Sequence, residues 1–174
     1  MVEKAILEEP KMKVQVIEAP NRIELDDNKI NIFLAGDITN CPNWQKELIE
    51  LLKNRIQDDN DDLVLFNPRR ENFHIHMPDE SLRQIEWEHD YLESCDQIVY
   101  WFSRGSLNPI ALYELGRWGN STDTKIYIGI DPQYERKSDV IIQTGLSRPE
   151  VEIVDSLKSL AHQILEFNKF DKEK

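Results

Sequence analysis

The chain has 174 residues, with 21 Lys and Arg against 33 Asp and Glu and a formal charge of −12 at pH 7. That length suits one domain with a real core and argues against two, while the acidic balance argues against a nucleic-acid partner, which needs clustered cations to displace counterions. No apolar run approaches the ~20 residues that cross a bilayer, and the opening Met-Val-Glu-Lys has no signal-peptide pattern, so a cytoplasmic protein without a membrane partner is expected. Cys41 and Cys95 have no metal-ligand spacing and read as free thiols.

Residues 1–29 read as a charged N-terminal arm or edge hairpin, with strand-like pieces at Val14–Glu18 and Arg22–Leu25. Ile30–Leu34 reads as a buried strand ending at Ala35-Gly36-Asp37. Pro42 and Asn43 then open a helix whose Trp44, Leu48, Leu51 and Leu52 share a face. Leu63–Phe66 is the next strand, and a long loop, Asn67–Glu80, follows it. A helix from Ser81 comes next, with Ser81 and Gln84 as a capping box and Leu82, Ile85 and Leu92 turned inward. Ile98–Phe102 is a third strand, Pro109–Trp118 a helix capped by Asn108, and Lys125–Ile130 a fourth strand. A turn or short helix around Asp139–Gln143, a short fifth strand at Val151–Ile153 and a helix from Asp155 to about Asn168 complete a domain spanning 30–168, with a charged tail at 169–174. Strands alternating with helices at this spacing predict an α/β three-layer sandwich, a five-stranded parallel sheet of flavodoxin-like or Rossmann-like type with right-handed connections.

In such sheets ligands bind outside the carboxyl ends of the strands. Three polar loops fall there: Gly36-Asp37, Asn67-Pro68-Arg69-Arg70 and Ser103-Arg104-Gly105-Ser106, and all three are expected to face one crevice. Gly36 lets backbone approach a ligand closely, although a lone glycine after a strand is as readily a turn. Arg69 and Arg70 suit either an anionic ligand or an ion pair with the excess acid. Glu114 lies about a turn and a half into an apolar helix that starts at the crevice. A surface ion pair is the commoner occupant of such a position, a nucleophile or base the rarer one. Glu88, three residues beyond Ile85, falls towards the buried side of its own helix, whereas Asp96 sits at the opposite edge of the sheet as a turn residue. His74 and His76 lack further ligands at matched spacing, so no metal and no cofactor are expected; their loop reads as a cover over the crevice.

Phe33-Leu34-Ala35-Gly36-Asp37-Ile38, Phe66-Asn67-Pro68-Arg69-Arg70, Gln84-Ile85-Glu86-Trp87-Glu88 and Tyr113-Glu114-Leu115-Gly116 together resemble the nucleoside 2-deoxyribosyltransferase family, from about Ile30 to Ile153. The resemblance implies that Glu114 is the nucleophile attacking the anomeric carbon, with Glu88 as the acid that protonates the leaving base, in a retaining transfer. Family members commonly carry Asp where this chain has Glu88. The resemblance further implies substrate contacts from Gly36, Asp37 and Ile38, from Asn67, Arg69, Arg70 and Trp87, and from Ser103, Arg104 and Asn108.

Six residues before the nucleophile, transferases carry Asp for the free sugar hydroxyl, and relatives that hydrolyse deoxynucleoside monophosphates carry Ser by the 5′-phosphate. Asn108 fits neither pattern: it can bond a hydroxyl, and with Ser103, Arg104 and Ser106 nearby a 5′-phosphate stays equally open. The resemblance thus implies a small-molecule nucleoside or nucleotide and a free nucleobase as partners. Its leading implication is transfer of deoxyribose between bases, with hydrolysis of the same intermediate and a non-catalytic nucleotide-binding module as alternatives. It also implies a homo-oligomer, for which Trp118, Tyr134 and Phe170 are candidate contacts.

Overall fold

A computed structural model describes residues 14–55, 63–70 and 78–170. Six strands form one sheet in which every pairing is parallel: β1 (Val14–Glu18), β2 (Ile30–Gly36), β3 (Leu63–Asn67), β4 (Gln97–Phe102), β5 (Lys125–Ile130) and β6 (Ile153–Val154), in the spatial order β1-β3-β2-β4-β5-β6. The sheet thus has six strands rather than the expected five. The extra one is β1, which aligns Val14 with Leu63 and Glu18 with Asn67 along the open edge of β3. No hairpin forms. Arg22–Leu25 runs as irregular chain, because its hydrogen bonds go to a helix: Ile23 N–H donates to Tyr91 Oη and the Tyr91 hydroxyl donates back to Ile23 O.

Strand parity sorts the core into two layers. Ile32 and Leu34 of β2, Val99 and Trp101 of β4 and Leu63 and Leu65 of β3 face α1 (Trp44–Arg55) and α5 (Leu157–Phe170). Phe33 and Ala35, Ile98, Tyr100 and Phe102, with Val64 and Phe66, face α2 (Pro78–Ser94), α3 (Pro109–Trp118) and α4 (Lys137–Ser147). Every residue of β3 and β4 is buried, as a parallel sheet covered on both faces requires. The last helix buries Leu157, Leu160, Ile164 and Leu165 as expected, and both cysteines are free. Asp96 has the structural place expected of it, accepting the Asn31 backbone N–H at 2.8 Å and the Asn31 side-chain amide at 3.0 Å.

Helix α2 departs from expectation twice. It begins at Pro78, with Asp79 and Glu80 in its first turn, an order that suits proline at the first helical position and acids against the helix dipole, so Ser81 lies inside the helix rather than at its cap. Its buried stripe runs through Gln84, Trp87, Tyr91 and Leu92, while Leu82 and Ile85 are 56% and 61% exposed. The larger aromatic surface sets the rotation of the helix: Tyr91 stacks on Phe66 with ring centroids 4.0 Å apart, and Trp87 packs on Phe33 at 5.9 Å. Helix α4 is longer than the expected turn and covers Lys137–Ser147. The loop with His74 and His76, residues 1–13, the Phe170 side chain and the tail from 171 lie outside the described residues.

Candidate active site

The strand order reverses between β2 and β4, and the connections leave them on opposite faces: β2 feeds α1 on one side and β4 feeds α3 on the other. A crevice at the carboxyl end of such a pair is the expected ligand position in a doubly wound sheet. A pocket of about 410 Å³ opens there between α2 and α3. Its floor is Phe33 and Ala35 of β2. One wall is Gln84, Ile85 and Glu88 of α2, the other Asn108 to Ala111 and Glu114 of α3, and Gly36 to Thr39 close the end.

The two carboxylates reach the crevice from facing helices. Glu114 is 7% exposed, and burial together with the charge of Glu88 pushes its carboxyl up to about 8. Burial likewise raises Glu88, opposed by the amide of Gln84, whose Nε2 donates to Glu88 Oε1 at 2.7 Å and to Pro68 O at 2.8 Å. Two like charges in one pocket cannot both form cheaply, so the charge of Glu88 makes Glu114 hold its proton more tightly. The hydroxyl of Tyr100, buried in the sheet beneath, is pushed upward by burial and by the charge of Glu114.

The end wall is a polar network. Asn108 occupies the residue before α3 with φ 50°, a left-handed conformation asparagine tolerates. Its side chain does not cap the helix. Oδ1 accepts the Asp37 N–H at 3.1 Å, and Nδ2 donates to Ser103 O at 3.2 Å and to Ser106 O at 3.1 Å. The Ser106 hydroxyl donates to the Asp37 carboxylate.

Of the residues expected at the site, Gly36, Asp37, Ile38, Glu88, Asn108 and Glu114 line this crevice. The others do not. Trp87 is in the core, its Nε1 donating to Asn21 O at 2.7 Å. Asn67 is buried and its Oδ1 closes a turn with the Arg69 N–H at 3.0 Å. The Arg69 guanidinium is spent on Cys41 O at 3.0 Å, Pro42 O at 2.9 Å and Gln45 Oε1 at 3.2 Å, and Arg70 pairs with Glu80. Ser103 and Arg104 face a separate depression of about 280 Å³ beside Trp44 and Trp101, because the chain reverses at Gly105, φ 80°, and only Ser106 onward returns over the crevice.

Gly36 has a packing reason as well: a Cβ there would stand 2.6 Å from Trp101 O and 2.6 Å from the Trp44 ring. Tyr134, proposed above as an exposed contact, is 3% exposed, and its hydroxyl donates to Leu107 O at 2.9 Å. Trp118 is half-buried, edge-on to His89 at 5.7 Å. Sequence reasoning missed Gln84 as a site residue, although its spacing of four from Glu88 places both on one helical face. Among the described residues no cluster of His, Cys, Asp and Glu is arranged to hold a metal, and no helix is long and apolar enough to cross a membrane.

Fold and crevice define a doubly wound α/β protein with paired acids at its switch point, a composition suited to chemistry at a carbon that gains positive charge. The family model described as nucleoside 2-deoxyribosyltransferase like matches residues 29–134, and the chain belongs to that family. No curated protein matches the chain. Membership supports a glycosyl-transfer or glycosidase role and binding of a small-molecule nucleoside.

Proposed function

We propose that this protein cleaves the N-glycosidic bond of a 2′-deoxynucleoside through Glu114 and transfers the deoxyribose to a second nucleobase. The supporting observation is the Glu88–Glu114 pair, a half-buried and a buried acid that enter one pocket of ligand size from facing helices. In the productive arrangement Glu88 carries a proton and Glu114 is ionised. The Glu114 carboxylate bonds to the anomeric carbon as the bond to the base nitrogen breaks, and Glu88 delivers its proton to the departing base. In the second half the incoming base attacks the same carbon, its proton passes to Glu88, and Glu114 is released. Gln84 orients Glu88 throughout. The apolar floor and the exposed Ile85 and Ile110 at the mouth suit the flat faces of a base, and water excluded by that base leaves transfer as the outcome.

Assembly as a homo-oligomer belongs to this reading. Leu82, Ile85, Ile110 and Tyr113 are exposed on α2 and α3 beside the mouth, where a second copy of the chain would cover them, and light scattering reads the mass directly. The activity is tested by incubating the protein with deoxynucleosides, with and without a second base, and separating the products. A new nucleoside formed only with acceptor supports transfer. Free base released regardless of acceptor converts the reading to hydrolysis. Activity surviving in Glu114→Ala removes Glu114 as nucleophile.

A further inference from the structure

We infer that the groove between α3 and α4, on the side of α3 away from the crevice, is a second ligand site, and that it takes a small carboxylic acid with an apolar body. Nothing in the reaction proposed above uses it.

Helix α4 is unusual in what it turns inward. The buried positions are Val140, Thr144 and, at its C-terminal boundary, Arg148, so two of the three are polar. A helix that only covers a sheet fills such a stripe with apolar side chains. One buried residue per turn also leaves space beside the helix. Across that space α3 presents Gly116, where a Cβ would meet nothing within 4 Å. The result is a groove of about 440 Å³, with Ile126 of β5, Leu112 and Leu115 of α3 and Val140 and Leu146 of α4 as its apolar lining. That size and that composition are those of small-molecule sites.

Arg148 has a structural task that leaves part of it over. Its Nη1 donates to Gly119 O at 2.7 Å and to Ser121 O at 2.5 Å, closing the end of α3, and its Nε pairs with Glu150. Neither contact uses Nη2, which has no partner among the described residues, and the Thr144 hydroxyl has none either. Thr144 and Arg148 are 5% and 7% exposed, both line the groove, and neither free donor is sealed in the interior. Two open donors in an apolar groove call for an acceptor. Arg148 is the only cation on the described lining, and the one acid there, Asp139, is tied to Arg136 at 3.1 Å. Glu150 is mostly exposed, so solvent screens its charge and the guanidinium keeps its attraction for a second acid. A carboxylate supplies the opposite charge and two acceptor oxygens, one for Nη2 and one for the hydroxyl, while its apolar body covers the leucines.

The probe is 3-phenylpropionate, with 3-phenylpropanol as its uncharged counterpart, titrated into the full chain carrying labelled Ile and Leu methyl groups and followed by NMR. The acid should shift Leu115, Ile126 and Leu146 saturably, leave Ile85 and Ile110 at the crevice unmoved, and bind about tenfold more tightly than the alcohol. Saturating deoxynucleoside should not displace it. Arg148→Gln should abolish the preference for the acid. Because that variant also gives up the bonds that close α3, Thr144→Val is the second, and should weaken the acid by about threefold or more. Gly116→Leu, which sends a side chain into open space, should block acid and alcohol alike in a folded protein. Equal binding of acid and alcohol, undiminished binding in Gly116→Leu or in Thr144→Val, shifts confined to the crevice, or no shifts at all would each overturn the inference. So would a dimer in light scattering that Leu146→Asp dissociates, because a second copy would then be what covers the groove.

Discussion

The side-chain carbonyl of Asn108 accepts the backbone N–H of Asp37 at 3.1 Å, tying the loop after β4 to the loop after β2 across the point where strand order reverses. Asn108, with the Ser106 hydroxyl on the Asp37 carboxylate, therefore holds the two loops at the spacing that defines the pocket. Asn108→Ala leaves the Asp37 amide and two loop carbonyls without this partner in a site where Asn108 is 1% exposed. The expected loss is about 1–3 kcal/mol. Thermal denaturation measures it, and kinetics should show KM for the nucleoside rising more than kcat falls, since the acids themselves are untouched. Asn108→Asp restores only the acceptor and should recover part of the stability.

Glu114 lowers the stability of the fold it serves. Its carboxyl goes from 4.5 in the open chain to about 8 when folded, so between those values the folded protein binds more protons than the unfolded one and stability falls as pH rises. Through that window the loss is on the order of 5 kcal/mol at most. Glu114→Gln cannot ionise. Urea unfolding from pH 5 to pH 9 should show it flattening the slope and exceeding the unmodified protein in stability at the alkaline end, while product formation is abolished.

A productive state with one carboxyl protonated and the other ionised predicts a bell-shaped pH dependence of kcat/KM. Activity falls as pH rises through about 8, where the pair loses its last proton, and falls on the acid side, where both carboxyls are protonated and no nucleophile is left. Replacing Glu88 by Gln removes one of the two causes that raise Glu114, so the ionisation of Glu114 in that variant should move down from about 8. The same change should slow turnover of ordinary deoxynucleosides by about 10²–10⁴-fold and slow far less those whose base leaves without a proton. A dependence on the leaving group identical to that of the unmodified protein would remove Glu88 as the acid.

Local patterning carried the reading of the strands. β2, β3, β4 and β5 are largely apolar runs, and parity within β2 puts Phe33 and Ala35 on the pocket side. What patterning did not carry were choices settled by competition in three dimensions. Leu82 and Ile85 have the spacing of an inward stripe, yet Trp87 and Tyr91 bury more surface and turn α2 the other way. Val14–Glu18 has no local signal for joining a parallel edge, because its partner β3 lies some fifty residues on. The arginines after β3 look alike on paper whether they meet a ligand or a carbonyl. Gly36 reads as a ligand-facing glycine, and only the approach of Trp44 and Trp101 gives it a second reason.

Arg69 separates the two meanings of an arginine placed after β3. Its fork reaches Cys41 O, Pro42 O and Gln45 Oε1 and so fastens the loop from Asp37 to Pro42, one end of the crevice, to the start of α1. Lysine, a single point donor, cannot span those acceptors. Arg69→Lys should therefore lose nearly as much stability as Arg69→Ala, about 1–3 kcal/mol by thermal denaturation, although the charge is kept. Nucleoside affinity should fall modestly in both variants through the loosened loop. Added inorganic phosphate should compete with nucleoside in neither variant nor in the unmodified protein. Were Arg69 instead an anion-binding residue, Arg69→Lys would keep most function, Arg69→Ala would lose it, and phosphate would compete only where the cation is present. The contrast between Lys and Ala thus discriminates a loop fastener from a ligand contact by direction alone.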